Sequence, residues 1–186
     1  MATVGNWFLG LDTATEWRSL ALWSPDEGVS HRDEERLGRA SSARLMPDLV
    51  AFLESCGVGR EMLAGIGVGV GPGSYTGTRV GIAVALGLGR ALGVPVTGSC
   101  SLEAVLFGAL APGESGWALF DARRGRVHAL LATRRSEDVA PLRGPLLLAR
   151  SELDDEPLRR LEGAAPDALW HARSVPGGRP PEPRYG

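Results

Sequence analysis

Ile66-Gly67-Val68-Gly69-Val70-Gly71-Pro72-Gly73-Ser74-Tyr75-Thr76-Gly77-Thr78-Arg79-Val80-Gly81 is the stretch that decides the fold. Ile66 to Val70 is short, apolar and rich in valine, and reads as a buried strand. Gly71-Pro72-Gly73 turns the chain. From Thr76 to Leu92 small and apolar residues recur at helical spacing, and Gly93 stops the run. A strand, a glycine-rich turn and a small-residue helix point to close packing or binding rather than to bond-breaking chemistry.

Glycines in such a turn leave amides exposed at a helix N-terminus, a geometry suited to phosphate or carboxylate. Gly73 and Ser74 would make the contact, with Asp12, Thr13 and Asp121 as further candidates. The acidic residue about 20 positions on that a dinucleotide site expects is missing. A structural turn and an anion contact both remain open. Within the helix, Gly77, Gly81, Ala85, Gly89 and Gly93 recur every four residues. They form a slanted ridge. Each interior glycine costs about 0.8–1.0 kcal/mol relative to alanine, so close approach of another backbone must offset it. That backbone belongs either to the chain's own sheet or to a helix of another chain.

Working outward, Trp7 to Leu11 reads as a buried strand, Arg18 to Trp23 as its hairpin partner, and Val29 to Leu37 as a charged strand suited to a sheet edge. Ser41-Ser42 caps a helix running to about Cys56, with Pro47 in its second turn. Its apolar residues Leu45, Met46, Leu49, Val50, Phe52, Leu53 and Cys56 cover more than one buried face requires. That width favours contact between this helix, the glycine helix and another chain. Val94 to Thr97 is a further strand, and Ser101 to Leu110 a helix with Ser101 as its cap. The order βββ-α-β-α-β-α is the ribonuclease H-like arrangement, which is used twice in actin, sugar kinases and Hsp70. Leu9-Gly10-Leu11-Asp12 is echoed by Ala118-Leu119-Phe120-Asp121, and Val127 to Thr133 follows as a second hairpin. The fold class is therefore α/β, of the actin/sugar kinase/Hsp70 type. Its first domain spans residues 1–102 and a second, shortened one 103–186. The latter is expected to hold one helix near Ser151–Leu161 and a Pro/Gly-rich irregular tail.

The chain has 186 residues and a formal net charge of −2, so it does not hold nucleic acid by its overall field. All 20 basic residues are arginine. Without lysine there is no Walker A loop and no Schiff-base enzyme. The two cysteines, Cys56 and Cys100, lie far apart in apolar surroundings and read as buried and reduced, as in a cytoplasm. Met1 to Asn6 has no basic n-region, so a signal peptide is not expected. The apolar run Val80–Gly89 is too short to span a bilayer. His31, His128 and His171 sit in no metal-binding spacing and read as surface or hydrogen-bonded residues. Asp12 ends the first strand, but Val70-Gly71 ends the fourth without a second carboxylate, which argues against a two-metal nuclease. A kinase or ATPase using Asp12 and Asp121 is the rival class. Arg123, Arg124 and Arg126 form a small basic turn, either solvated or in contact with RNA phosphate.

The run from Gly71 to Gly81 resembles the signature of the bacterial TsaB (YeaZ) family. Leu11-Asp12-Thr13-Ala14-Thr15, Gly93-Val94-Pro95-Val96, Ser101-Leu102-Glu103-Ala104 and Asp121-Ala122-Arg123-Arg124-Gly125 support it. The resemblance covers about residues 7 to 133, and the closing Pro181-Glu182-Pro183-Arg184-Tyr185 is similar to the family's usual ending. It implies a cytoplasmic, non-catalytic partner of the transferase TsaD and the ATPase TsaE. Together these form N6-threonylcarbamoyladenosine in tRNAs that read codons starting with A. It also implies contact with TsaD, or with a second copy, through the two first-domain helices. Here the interface would comprise Met46, Leu49, Val50, Leu53, Gly77, Val80, Gly81, Val84, Ala85 and Leu88. No metal site, membrane contact or firm cofactor is implied for the chain; ATP or ADP belongs at the level of the complex, as does tRNA.

Overall fold

The computed structural model describes residues 6–38, 41–176, 178 and 180–182. Met1–Gly5, Gly177 and the closing Pro183-Arg184-Tyr185 lie outside the described residues, as do the side chains of the expected caps Ser41 and Ser42. Two mixed sheets form. The first contains β1 (Trp7–Asp12), β2 (Trp17–Ser24), β3 (Val29–Arg36), β4 (Leu63–Gly69) and β5 (Val96–Ser99), in the order β3-β2-β1-β4-β5. β1 pairs antiparallel with β2 and parallel with β4. The charged β3 lies at the edge, as its composition requires.

α1 (Ser41–Ser55) and α2 (Tyr75–Leu92) cover one face of this sheet. Leu45, Leu49, Phe52, Ile82 and Ala85 bury there against Leu9, Leu11, Ile66 and Val68. Ser74 caps α2 by accepting from the Gly77 amide at 3.2 Å, and Gly93 ends it in the left-handed region.

The second sheet repeats the plan. β6 (Ser115–Asp121), β7 (Arg126–Arg134), β8 (Val139–Ala149) and β9 (Arg159–Glu162) lie in the order β8-β7-β6-β9, with β9 parallel to β6 as β4 is to β1. Asp121 therefore ends β6 as Asp12 ends β1. The helix expected near Ser151–Leu161 does not form. A single 3-10 turn, Arg150–Leu153, precedes β9. Pro157 and the restriction it places on Glu156 break the helical pattern, and Leu161 is buried as a strand residue instead. β8 was hidden by its Pro and Gly content, which an edge strand tolerates.

α3 (Ser101–Ala109) packs on the second sheet, with Leu102, Val105 and Leu106 against Ala118 and Leu130. Cys100, not Ser101, holds its N-cap position. Ser101 Oγ instead accepts from the Gly71 amide at 3.2 Å, tying the glycine turn to α3. The chain then returns. α4 (Ala168–Arg173), capped by Asp167, packs on the other face of the first sheet. Its backbone sits so close that a Cβ on Gly10 would lie 1.9 Å from the Ala168 carbonyl oxygen, and one on Gly67 1.9 Å from that of His171. On the same face, a Cβ on Gly65 would lie 2.5 Å from Val175 Cγ1 and one on Gly69 2.0 Å from Asp12 Oδ2. Gly67 makes room for α4, Gly65 for Val175 and Gly69 for the Asp12 carboxylate, and the three follow the two-residue period of a strand.

Candidate functional site

The end of β1 is where this fold places its chemistry, and here it is closed. Asp12 and His171 have no exposed side-chain surface. Asp12 Oδ1 accepts from the Ala14 amide at 2.7 Å, and Oδ2 faces His171 Nε2 at 2.9 Å. His171 Nδ1 lies 2.6 Å from Ser99 Oγ. A carboxylate only accepts, so Nε2 donates to it, which leaves Nδ1 to pair with the Ser99 hydroxyl. The network joins α4 to β1 and β5. Serine, histidine and aspartate also compose an acyl-transfer triad, but a fully buried imidazole cannot reach a leaving group. His171 is thus the hydrogen-bonded histidine that the sequence allowed. Its partners are 159 and 72 residues away, and no local spacing signals them.

Part of the glycine turn's hydrogen-bonding capacity is met within the chain, although Gly73 and Ser74 stay exposed. The Ser74 amide donates to the Ala14 carbonyl at 2.6 Å, the Gly77 amide to Ser74 Oγ, and the Gly71 amide to Ser101 Oγ. Thr13 is buried, and its hydroxyl donates to the Gly77 carbonyl at 2.7 Å. A Cβ on Gly73 would lie 2.1 Å from the Ala14 carbonyl oxygen. The chain's own β1–β2 connection packs against the turn through Thr13 and Ala14. Asp121 stays exposed at the corresponding end of β6.

The glycine ridge of α2 also faces inward. Gly77, Gly81 and Ala85 are buried. A Cβ on Gly77 would meet the Thr13 carbonyl oxygen at 2.0 Å, one on Gly81 Thr13 Oγ1 at 2.8 Å, and one on Gly89 Val96 Cγ2 at 2.2 Å. The close approach that offsets these glycines comes from the chain's own sheet, not from another helix. Leu49 is likewise core, 1% exposed. Of the expected interface, Met46 and Val50 are exposed at 41% and 48%, and Leu53, Val80, Val84 and Leu88 are half-buried. Leu86 adds a further exposed apolar side chain on α2.

A feature that sequence reading missed lies between α1 and β3, where an open groove of about 820 Å³ is lined by Arg18, Arg44, Asp33, Glu35 and Asp48, among others. Arg18 is 3% exposed and meets all three carboxylates within 3.2 Å. Its alternation in β2 placed it in the sheet, but only α1 supplies Asp48. Among the described residues no three His, Cys, Asp or Glu side chains are grouped to hold a metal ion, and no helix is long and apolar enough to cross a membrane.

The family model described as TsaD, tRNA N6-adenosine threonylcarbamoyltransferase, matches residues 34–144. Two solved structures share the architecture over most of its length. One is described as an uncharacterized protein with similarity to peptidase YEAZ from Pseudomonas aeruginosa. It is 24% identical, with 97% of this chain and 99% of that chain covered and a TM-score of 0.81. The other, YeaZ from Pseudomonas aeruginosa, is 24% identical, with 92% and 91% covered and a TM-score of 0.79. No curated protein matches the chain. With two ribonuclease H-like sheets, a shared architecture with YeaZ and a match over residues 34–144, the chain belongs to the TsaD family.

Proposed function

We propose that this chain is the non-catalytic scaffold subunit of the complex that forms N6-threonylcarbamoyladenosine in tRNAs reading codons that start with A. It works beside a TsaD-type transferase and a TsaE-type ATPase in the cytoplasm, and pairs with a second copy of itself when alone. Membership of the TsaD family supports a role in the tRNA threonylcarbamoyl system. The observation that carries the non-catalytic reading is the sealed Asp12. The carboxylate that a kinase or ATPase of this fold would turn toward metal and phosphate is buried and engaged by His171 and Ala14.

The contact reading rests on the outer face of α1 and α2. Met46 and Val50 expose apolar surface on α1, and Leu53, Val80, Val84 and Leu88 are half-buried. Exposed apolar side chains grouped on one helix are the feature an interaction site presents. The test is size-exclusion chromatography of the chain with and without a TsaD-type subunit. Met46→Glu/Val50→Glu is expected to stay folded and to abolish both the homodimer and the heterodimer. Unchanged association of both would remove the proposed face.

A further inference from the structure

The turn between β6 and β7 presents Arg123, Arg124 and Arg126, all exposed. None of the three forms an ion pair with a carboxylate of the described residues; Glu162, nearby, is spent on Arg150 through two contacts of 2.6 Å. Two further exposed acids, Asp121 at the base of the turn and Asp154, act on Arg150 through space. This local positive charge stands on a chain of net charge −2. The backbone is unusual as well. Arg123, Arg124 and Gly125 follow one another at φ 65°, 53° and 71°. A tight hairpin turn of this kind favours Asn-Gly or Gly-Gly, and long side chains are uncommon there. Three hydrogen bonds pin it: Ala122 N to Arg126 O at 2.9 Å, Arg126 N to Arg123 O at 3.0 Å, and Arg150 N to Gly125 O at 2.8 Å. The structure therefore holds arginines on a rigid turn where glycine would fit with less strain. Backbone strain of this kind points to a job for the side chains.

We propose that this turn is an RNA-phosphate contact through which the chain holds the tRNA of the modification complex. Guanidinium forks match phosphate oxygens bidentately, and unpaired ones are free to do so. The inference rests on the proposed role in tRNA modification, which supplies the occupant; the contact itself is to the sugar–phosphate backbone and carries no base preference.

The test is fluorescence anisotropy of the full chain with a labelled, unmodified tRNA transcript across a salt series. Three phosphate contacts contribute a salt slope of about −2 to −3. That makes a loss of roughly 20- to 40-fold between about 50 and 200 mM salt. Arg123→Gly/Arg124→Gly/Arg126→Gln is expected to lose that contribution while melting no lower than wild type, because glycine relieves the two left-handed positions. The corresponding lysine variant is expected to keep most of the salt slope. Equal affinity and slope in the glycine variant would overturn the proposal, as would the absence of saturable wild-type binding at about 50 mM salt or displacement of the tRNA by ATP alone at this turn. A parallel modification assay with wild type separates the two ideas. Modification that proceeds without the chain refutes the scaffold role, whereas unaltered RNA binding by the glycine variant refutes only the turn.

Discussion

Replacing His171 by alanine tests whether Asp12 is a structural anchor. The substitution leaves a carboxylate with no exposed surface facing a void and frees the Ser99 hydroxyl. A hydrogen bond to a charged group is worth about 1.5–3 kcal/mol and the Ser99 bond about 1 kcal/mol more. Breaking a buried pair by removing one partner costs about 3–5 kcal/mol in all. About 4 kcal/mol is the expected loss, which for a chain of this size lowers Tm by roughly 8–16 °C. Urea unfolding with an unchanged slope is the assay. In the double-mutant cycle, Asp12→Ala/His171→Ala is expected to cost about 2 kcal/mol less than the sum of the single changes, because the pair is then removed together. A single-variant loss below about 1 kcal/mol, with additivity within about 0.5 kcal/mol, would mean that the carboxylate is solvated and free for other work, and the sealed-site reasoning would fail.

Gly81→Leu tests the direction of the glycine ridge. With a Cβ already 2.8 Å from Thr13 Oγ1, the larger side chain is expected to destabilise the monomer itself by more than about 2 kcal/mol in urea unfolding, rather than only separating dimers. Ser74→Ala removes the cap on the Gly77 amide and is expected to cost about 1 kcal/mol by the same assay. Burial, and secondarily the Arg126 charge, lower the His128 pKa from 6.5. The unfolded chain therefore binds the proton first as pH falls through 6.5, and stability drops. His128→Gln is expected to flatten that part of the stability–pH curve; an unchanged acid limb would contradict the assignment.

Much of the first sheet was legible because each of its signals is local. The Ile66–Val70 run, the turn at Gly71-Pro72-Gly73 and the spacing of α2 each lie within one element. The repeat of β1 in β6 showed through the matching Asp12 and Asp121. Contacts made across the fold were not legible. Nothing near Gly67 in the sequence announces that it makes room for α4, about 100 residues later. The ridge of α2 looked like a surface for another chain because a close approach is written the same way whichever backbone makes it. The apolar arc of α1 was legible in its spacing, but the division between its residues was not. Leu45, Leu49 and Phe52 bury, whereas Met46 and Val50 do not. β8 was missed because Pro and Gly, tolerated at a sheet edge, masked its alternation, and the four residues of β9 were read as the end of a helix.

Reconstitution tests the scaffold claim most directly. Purified TsaD-type and TsaE-type subunits are incubated with unmodified tRNA and the threonylcarbamoyl precursors, with and without this chain, and modified adenosine is measured. Modification is expected only when the chain is present, with none from the chain alone and none when Met46→Glu/Val50→Glu replaces it. Modification by the chain alone, or equal modification in its absence, would rule out the scaffold role.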